Sequence, residues 1–190
     1  MDAVARNRLD NMPALKAHKK NSATFASPCT PAKIGWTMRL YLDTSVLGAM
    51  FDVEPPDRKQ KTETFFRRVK TRGDILYIFG VVLDEVARAP EHLQFSLIRV
   101  IDQNEPLVLP EPRETLALAD AYVTSRVVPI NSRDDARHVA IATVAGLDAL
   151  VSWNFKHIVN LRRRRLVHSV NVRLGYALID LVSPEEVLYE

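Results

Sequence analysis

The chain has 190 residues, 47% of them hydrophobic, which suits one ordinary domain with a sizeable core. Its formal charge of +3 is uneven: residues 1 to 37 carry six Lys/Arg against two Asp/Glu, leaving 20 against 21 for residues 38 to 190, so the body is near neutral and overall basicity is a poor argument for nucleic-acid binding. Cys29 is the only cysteine, which excludes an intramolecular disulfide or a thiolate metal site; with no signal-peptide hydrophobic region and no charge-free apolar run of about 18 residues, the expected setting is the cytoplasm, without a membrane span.

Residues 1 to 37 lack periodicity and contain Pro13, Pro28 and Pro31, so they read as a disordered tail. Met38 stands directly before the first apolar segment. It is a candidate natural start, with the tail an over-extension of the reading frame, and the domain is expected over 38 to 190. Arg39-Leu40-Tyr41-Leu42 reads as a strand buried on both faces, with Asp43-Thr44-Ser45 where it runs out. An Asp there is well placed for chemistry in an open α/β sheet, yet it is equally placed to cap the next helix, and other acids at similar places must decide.

A short helical turn follows from Ser45 to Phe51. After the loop Asp52 to Asp57, a basic helix is expected over 58 to 71 around Phe65, Phe66 and Val69, which read as core or dimer contacts and not base-stacking platforms. Ile75 to Phe79 is a second strand, and Gly80 to Ala89 a helix stopped by Pro90. Glu91 to Gln103 has Leu93, Leu97, Ile98 and Ile101 at helical spacing. Leu107-Val108-Leu109 is a short apolar segment, and a helix is expected from Glu111 or Pro112 to about Arg126.

Ser132 is the expected cap of a small, apolar helix from Arg133 to Ala145, closed by Gly146. Asp148 to Ser152 is a third strand, Trp153 to His157 a loop, and the basic run Arg162 to Arg165 lies on the next helix. Tyr176 to Val182 is a last strand, and Ser183-Pro184-Glu185-Glu186 a capping-box-like start of a terminal turn. This alternation implies an α/β fold around a mainly parallel sheet of about four to five strands with right-handed crossovers.

Four polar groups lie at strand ends or at helix starts: Asp43, Glu85 with Asp84 beside it, Asp135 with Asp134, and Asn154. Grouped carboxylates repel one another, so such a site suits a hard divalent cation, Mg²⁺ or Mn²⁺, which can activate a water and stabilise charge on a phosphodiester. Adjacent helix residues point about 100° apart, so only one of Asp84 and Glu85 is expected to serve. Asp134 better suits the helix dipole, and a loop Asn equally suits a turn.

Leu42-Asp43-Thr44-Ser45, Val82-Leu83-Asp84-Glu85-Val86, Asp135-Ala136-Arg137-His138-Val139-Ala140 and Val151-Ser152-Trp153-Asn154-Phe155-Lys156-His157-Ile158 occur in this order. With these pieces the chain resembles, over roughly residues 38 to 190, a PIN-domain ribonuclease of the kind found as the toxin of VapBC toxin–antitoxin pairs. The resemblance implies a three-layer α/β/α fold and a Mg²⁺- or Mn²⁺-dependent endoribonuclease. It makes Asp43, Glu85 and Asp135 the metal-site acids, puts Asn154 at the fourth acidic position, and has Thr44, Ser45 or Ser152 hold them by hydrogen bonds. It also implies an RNA substrate, a cognate antitoxin and homodimerisation. Asn154 departs from the common pattern, where many relatives carry Asp, which weighs against a strict two-metal mechanism. Arg137 replaces what is more often an apolar residue and is expected to face solvent or RNA.

His138 reads as a buried, hydrogen-bonded core histidine more than as a base, and His157 as structural more than as a phosphate contact. Lys156, Arg162, Arg163 and Arg164 are the candidate RNA contacts, with a solvated helix face as the competing reading. The competing function is a catalytically weak PIN-like module that binds RNA or a protein without cleaving. A phosphatase is disfavoured, because Thr44-Ser45 follow Asp43 where an Asp-x-Asp signature belongs and no Gly-rich phosphate loop occurs.

Overall fold

Leu40, Tyr41 and Leu42 are wholly buried in β1 (Arg39–Leu42), as consecutive apolar residues must be in a strand with helices on both faces. The computed structural model describes residues 37–52 and 56–188; the tail read into the first 36 residues lies outside them. Five parallel strands form one sheet in the order β3-β2-β1-β4-β5. The others are β2 (Ile75–Phe79), β3 (Leu107–Leu109), β4 (Ala149–Val151) and β5 (Asp180–Val182). The chain is thus α/β with an all-parallel sheet, and the apolar segment at 107–109 is a strand paired with β2.

Eight helices occur among the described residues: α1 (Thr44–Gly48), α2 (Pro56–Arg72), α3 (Gly80–Arg88), α4 (Glu91–Asn104), α5 (Thr115–Thr124), α6 (Arg133–Val144), α7 (Leu161–Leu174) and α8 (Pro184–Leu188). Right-handed crossovers put α1 to α4 on one face, where α4 packs on α1 and α3, and α5 to α7 on the other, where α5 packs on α6 and α7. The result is a three-layer α/β/α arrangement consistent with a PIN-like fold. Phe65 and Phe66 are buried in the core, as expected. No helix among the described residues is long and apolar enough to cross a membrane.

Several boundaries differ from the sequence expectation for local reasons. The last strand is confined to Asp180–Val182 because β4 offers three partners, Ala149 to Val151. Tyr176 and Ala177 instead bond Asn171, closing α7 behind Gly175 at φ 78°. The helix expected from Glu111 begins at Thr115, since Glu111 is drawn into an ion pair with Arg137. Gly146 does terminate α6: its φ of 61° lets Gly146 and Leu147 donate back to Thr143 and Ala142. The capping box before α8 forms in both directions, Glu186 N–H to Ser183 Oγ at 3.2 Å and Ser183 N–H to Glu186 Oε2 at 2.8 Å.

The strand order places the site. The chain builds β1, β2 and β3 outward in one direction, then crosses to the other side of β1 for β4. The crevice at the carboxyl ends of β1 and β4 is therefore the switch point, where open parallel sheets bind ligands.

Candidate metal centre

Asp43 continues β1 by one residue, its N–H donating to Val151 O at 3.1 Å, and leaves its side chain at the switch point with 6% exposure. It occupies the residue before α1 but makes no side-chain cap, which removes the capping alternative. Its Oδ2 accepts from Ser45 Oγ at 2.6 Å and from Ser152 Oγ at 2.5 Å. The same two hydroxyls accept N–H groups of the β4 loop, Ser45 Oγ from Trp153 and Ser152 Oγ from Asn154, each at 2.9 Å. Each serine has one proton to give, and the backbone contacts aim it at Asp43. Oδ1 faces the crevice.

Glu85 arrives from α3, which starts directly after β2. Thr44 Oγ1 donates to Glu85 Oε2, and Oε1 lies 3.2 Å from His138 Nε2. Burial pushes the Glu85 carboxyl up, but His138, Thr44 and Arg88 together hold it below its ordinary value. Asp84 is absent from this cluster, as the angular offset along a helix requires.

The other side of the crevice is α6. Asp134 is exposed, whereas Asp135 is half-buried and takes Asn154 Nδ2 on its Oδ1 at 2.8 Å. Burial is the main cause raising the Asp135 pKa, the charge of Asp43 adds to it, and His157, His138 and Ser132 work against it. One turn on, His138 is 2% exposed. Its Nδ1 lies 2.6 Å from Tyr41 Oη, and its Nε2 lies 3.2 Å from Glu85 Oε1 and 3.7 Å from Asp43 Oδ1.

The proton positions follow from these partners. The Tyr41 pKa is raised well above the ordinary range, chiefly by burial and then by the charges of Asp43 and Glu85, so its hydroxyl remains protonated. Carboxylates at Nε2 only accept, so when the ring is neutral its one proton sits on Nε2 and Nδ1 accepts from Tyr41. Burial alone would lower the His138 pKa; hydrogen bonding to Glu85 and the charges of Asp43, Glu85 and Asp135 outweigh it and raise it.

Asp43, Glu85 and His138 each offer a ligand atom, and the three atoms lie within 4.8 Å of one another. Two carboxylates and an imidazole are an adequate donor set for a divalent cation. Asp135 faces the same crevice outside this compact group. The sequence-predicted acids are therefore brought to one place, but His138, read as a core residue, stands closer to Asp43 and Glu85 than the trio of acids alone suggested. Two periodicities carry its signal: Tyr41 and Asp43 share a strand face, and Asp135 and His138 share a helix face.

Asn154 spends both ends of its amide locally. Nδ2 holds Asp135, while Oδ1 accepts His157 N–H at 3.0 Å in the turn that leads to α7. It positions Asp135 and carries no free donor oxygen toward the acids. His157 Nδ1 is buried without a hydrogen-bond partner among the described residues.

The basic residues separate in the same way. Lys156 and Arg162 are exposed and make no hydrogen bond or ion pair among the described residues through their side chains. Arg163 instead donates to Val127 O, and Arg164 pairs with Glu186. Arg137 stays partly exposed but is bound to Glu111, its Nε lying 2.8 and 3.0 Å from the two carboxylate oxygens.

No family model matches this chain, and no curated protein matches it.

Proposed function

We propose that this chain is a metal-dependent endoribonuclease that hydrolyses RNA phosphodiester bonds, as the toxin of a toxin–antitoxin pair in the cytoplasm. The observation that carries the reading is the convergence of Asp43, Glu85 and His138, with Asp135 opposite, at the switch point of an all-parallel sheet. The order of motifs resembling the PIN domain supports the RNA substrate, a cognate antitoxin and a homodimer.

In this reading Asp43 and Glu85 hold a Mg²⁺ or Mn²⁺ ion. When bound, the cation supplies an activated water and stabilises charge on the phosphodiester. Ser45 and Ser152 fix Asp43 so that Oδ1 points into the crevice, Thr44 fixes Glu85, and Asn154 fixes Asp135. Lys156 and Arg162 offer free positive charge for the RNA backbone beside the Asn154 loop.

The deciding experiment incubates the full chain and its Asp43→Ala variant with tRNA, rRNA fragments and single-stranded RNA in Mg²⁺, Mn²⁺ or EDTA. Cleavage that needs both metal and Asp43 is expected. Metal-dependent cleavage by Asp43→Ala rejects the assignment. One observation favours the non-cleaving module as a second reading: His138 Nε2 lies 3.2 Å from Glu85 Oε1 and 3.7 Å from Asp43 Oδ1, so the imidazole already serves both carboxylates as a polar partner. Absence of both cleavage and metal binding would select it.

A further inference from the structure

We infer that His138 is a nitrogen ligand of this centre, through Nε2, so that the centre takes a divalent transition metal such as Mn²⁺ in preference to Mg²⁺. The inference rests on the metal-site reading above and deepens it.

Three observations carry it. First, Nε2 is flanked by two carboxylates from two different elements, Glu85 Oε1 at 3.2 Å from α3 and Asp43 Oδ1 at 3.7 Å from the end of β1. Ligand bonds of about 2.1 Å at right angles leave neighbouring donor atoms about 3.0 Å apart. A tetrahedral set at about 2.0 Å leaves about 3.3 Å. The spacing found here is that of atoms able to close on one ion with small side-chain movements.

Second, the imidazole is held for this use. Tyr41 Oη occupies Nδ1 at 2.6 Å, the ring is 2% exposed, and α6 delivers it from the same face that carries Asp135. Metal-binding histidines characteristically have the other ring nitrogen engaged in this way, which fixes the ring's rotation. To ligate, the neutral ring must carry its one proton on Nδ1; that nitrogen then donates to the Tyr41 oxygen, and the tyrosine turns from donor to acceptor with its own proton retained.

Third, apart from Asp135, which lies outside the compact group, the neighbouring polar groups are already committed. Asp43 Oδ2 is taken by two serines, Glu85 Oε2 by Thr44 and Asn154 by Asp135 and His157. One oxygen from Asp43, one from Glu85 and Nε2 are what the three residues turn toward each other. Imidazole suits transition metals, whereas Mg²⁺ demands oxygen.

The test is electron spin-echo spectroscopy of the full chain loaded with Mn²⁺, alongside calorimetric titration with Mn²⁺ and with Mg²⁺, repeated on His138→Gln. The expected results are ¹⁴N modulation from a directly bound imidazole, Mn²⁺ binding at least about tenfold tighter than Mg²⁺, and loss of about ten- to a hundredfold of Mn²⁺ affinity in the variant. Mn²⁺ bound without ¹⁴N modulation overturns the inference and leaves the oxygen-ligated metal site standing. Binding of neither ion overturns both. The spectrum is taken on the unaltered chain, so a variant that fails to fold does not remove the test.

Discussion

The hydroxyl of Tyr41 lies 2.6 Å from Nδ1 of His138, joining the central strand to the helix opposite it through two side chains that are almost completely buried. Removing the oxygen leaves a buried ring nitrogen with nothing to bond. Tyr41→Phe should therefore cost about 1–3 kcal/mol of stability, the usual penalty for an orphaned buried polar group. Urea denaturation of the metal-free protein measures it. A variant as stable as the parent would mean that Nδ1 finds another partner and that the pair does not orient the imidazole.

Asp43 is held by two hydroxyls yet faces other acids, so its loss has opposite effects on function and on folding. In Asp43→Ala, Mn²⁺ affinity should fall by at least about a hundredfold, because a ligand is removed together with its charge. The melting temperature of the metal-free form should change by only a few degrees, equivalent to about 1 kcal/mol, since relief of repulsion from Glu85 and Asp135 offsets the two lost serine contacts. Calorimetric titration and a thermal melt separate the two. A large drop in melting temperature would show that Asp43 serves the fold more than the site.

Asn154 gives a sharper case, because its Nδ2 donates to Asp135 at 2.8 Å while its Oδ1 caps the next turn. Asn154→Asp keeps the turn but replaces the donor by a second carboxylate. Without metal this should cost about 1–2 kcal/mol, from a lost bond to a charged group and added repulsion. Saturating Mn²⁺ should shrink that difference from the parent, because the added carboxylate tightens metal binding and each tenfold fall in Kd adds about 1.4 kcal/mol at saturation. Melts with Mn²⁺ and with EDTA read both values. Equal destabilisation in the two conditions would place Asn154 outside the metal's reach.

The basic residues divide by what they already touch. Lys156→Ala and Arg162→Ala should each weaken RNA binding in EDTA and lower its salt slope by about one. Arg164→Ala should leave RNA binding unchanged, because its guanidinium is committed to Glu186. Fluorescence anisotropy over a salt series distinguishes them. If Arg164→Ala lowers the slope as much as Arg162→Ala, the RNA path runs along α7 despite that ion pair.

How much of this was legible in sequence depends on the range of the interaction. β1, β2 and the β4 segment were readable because a run of apolar residues has few other homes in an α/β domain, and the Ser183–Glu186 capping box because both partners lie within one turn. Asp43, Glu85 and Asp135 were readable from their places at the ends of such elements. The commitments of Arg137 to Glu111, Arg163 to Val127 and Arg164 to Glu186 were not, because they join residues 22 to 36 positions apart whose approach is set by packing. His138 is the buried, hydrogen-bonded histidine that its place on an apolar helix suggests, but its partners were not legible for a related reason. A buried histidine on an apolar helix looks the same in sequence whether its acceptor is a carbonyl or a pair of carboxylates, and only the register of α6 against β1 and α3 decides which.

Glu186 offers a test of the fold that does not involve the site. Burial pushes its carboxyl up, but Arg164 and both groups of Ser183 outweigh this and leave it below the ordinary glutamate value. A folded pKa lower than the unfolded one means that the contribution is complete above the unfolded value and disappears as pH falls through the folded one. The side chain is 43% exposed, so solvent screening limits the contribution to about 0.5 kcal/mol. The stability difference between the parent and Glu186→Gln should therefore be present at neutral pH and shrink as pH falls below the ordinary glutamate range. Urea titrations of both proteins at neutral and acidic pH measure it. A difference that persists unchanged in acid would assign the effect to the shape of the cap and not to its charge.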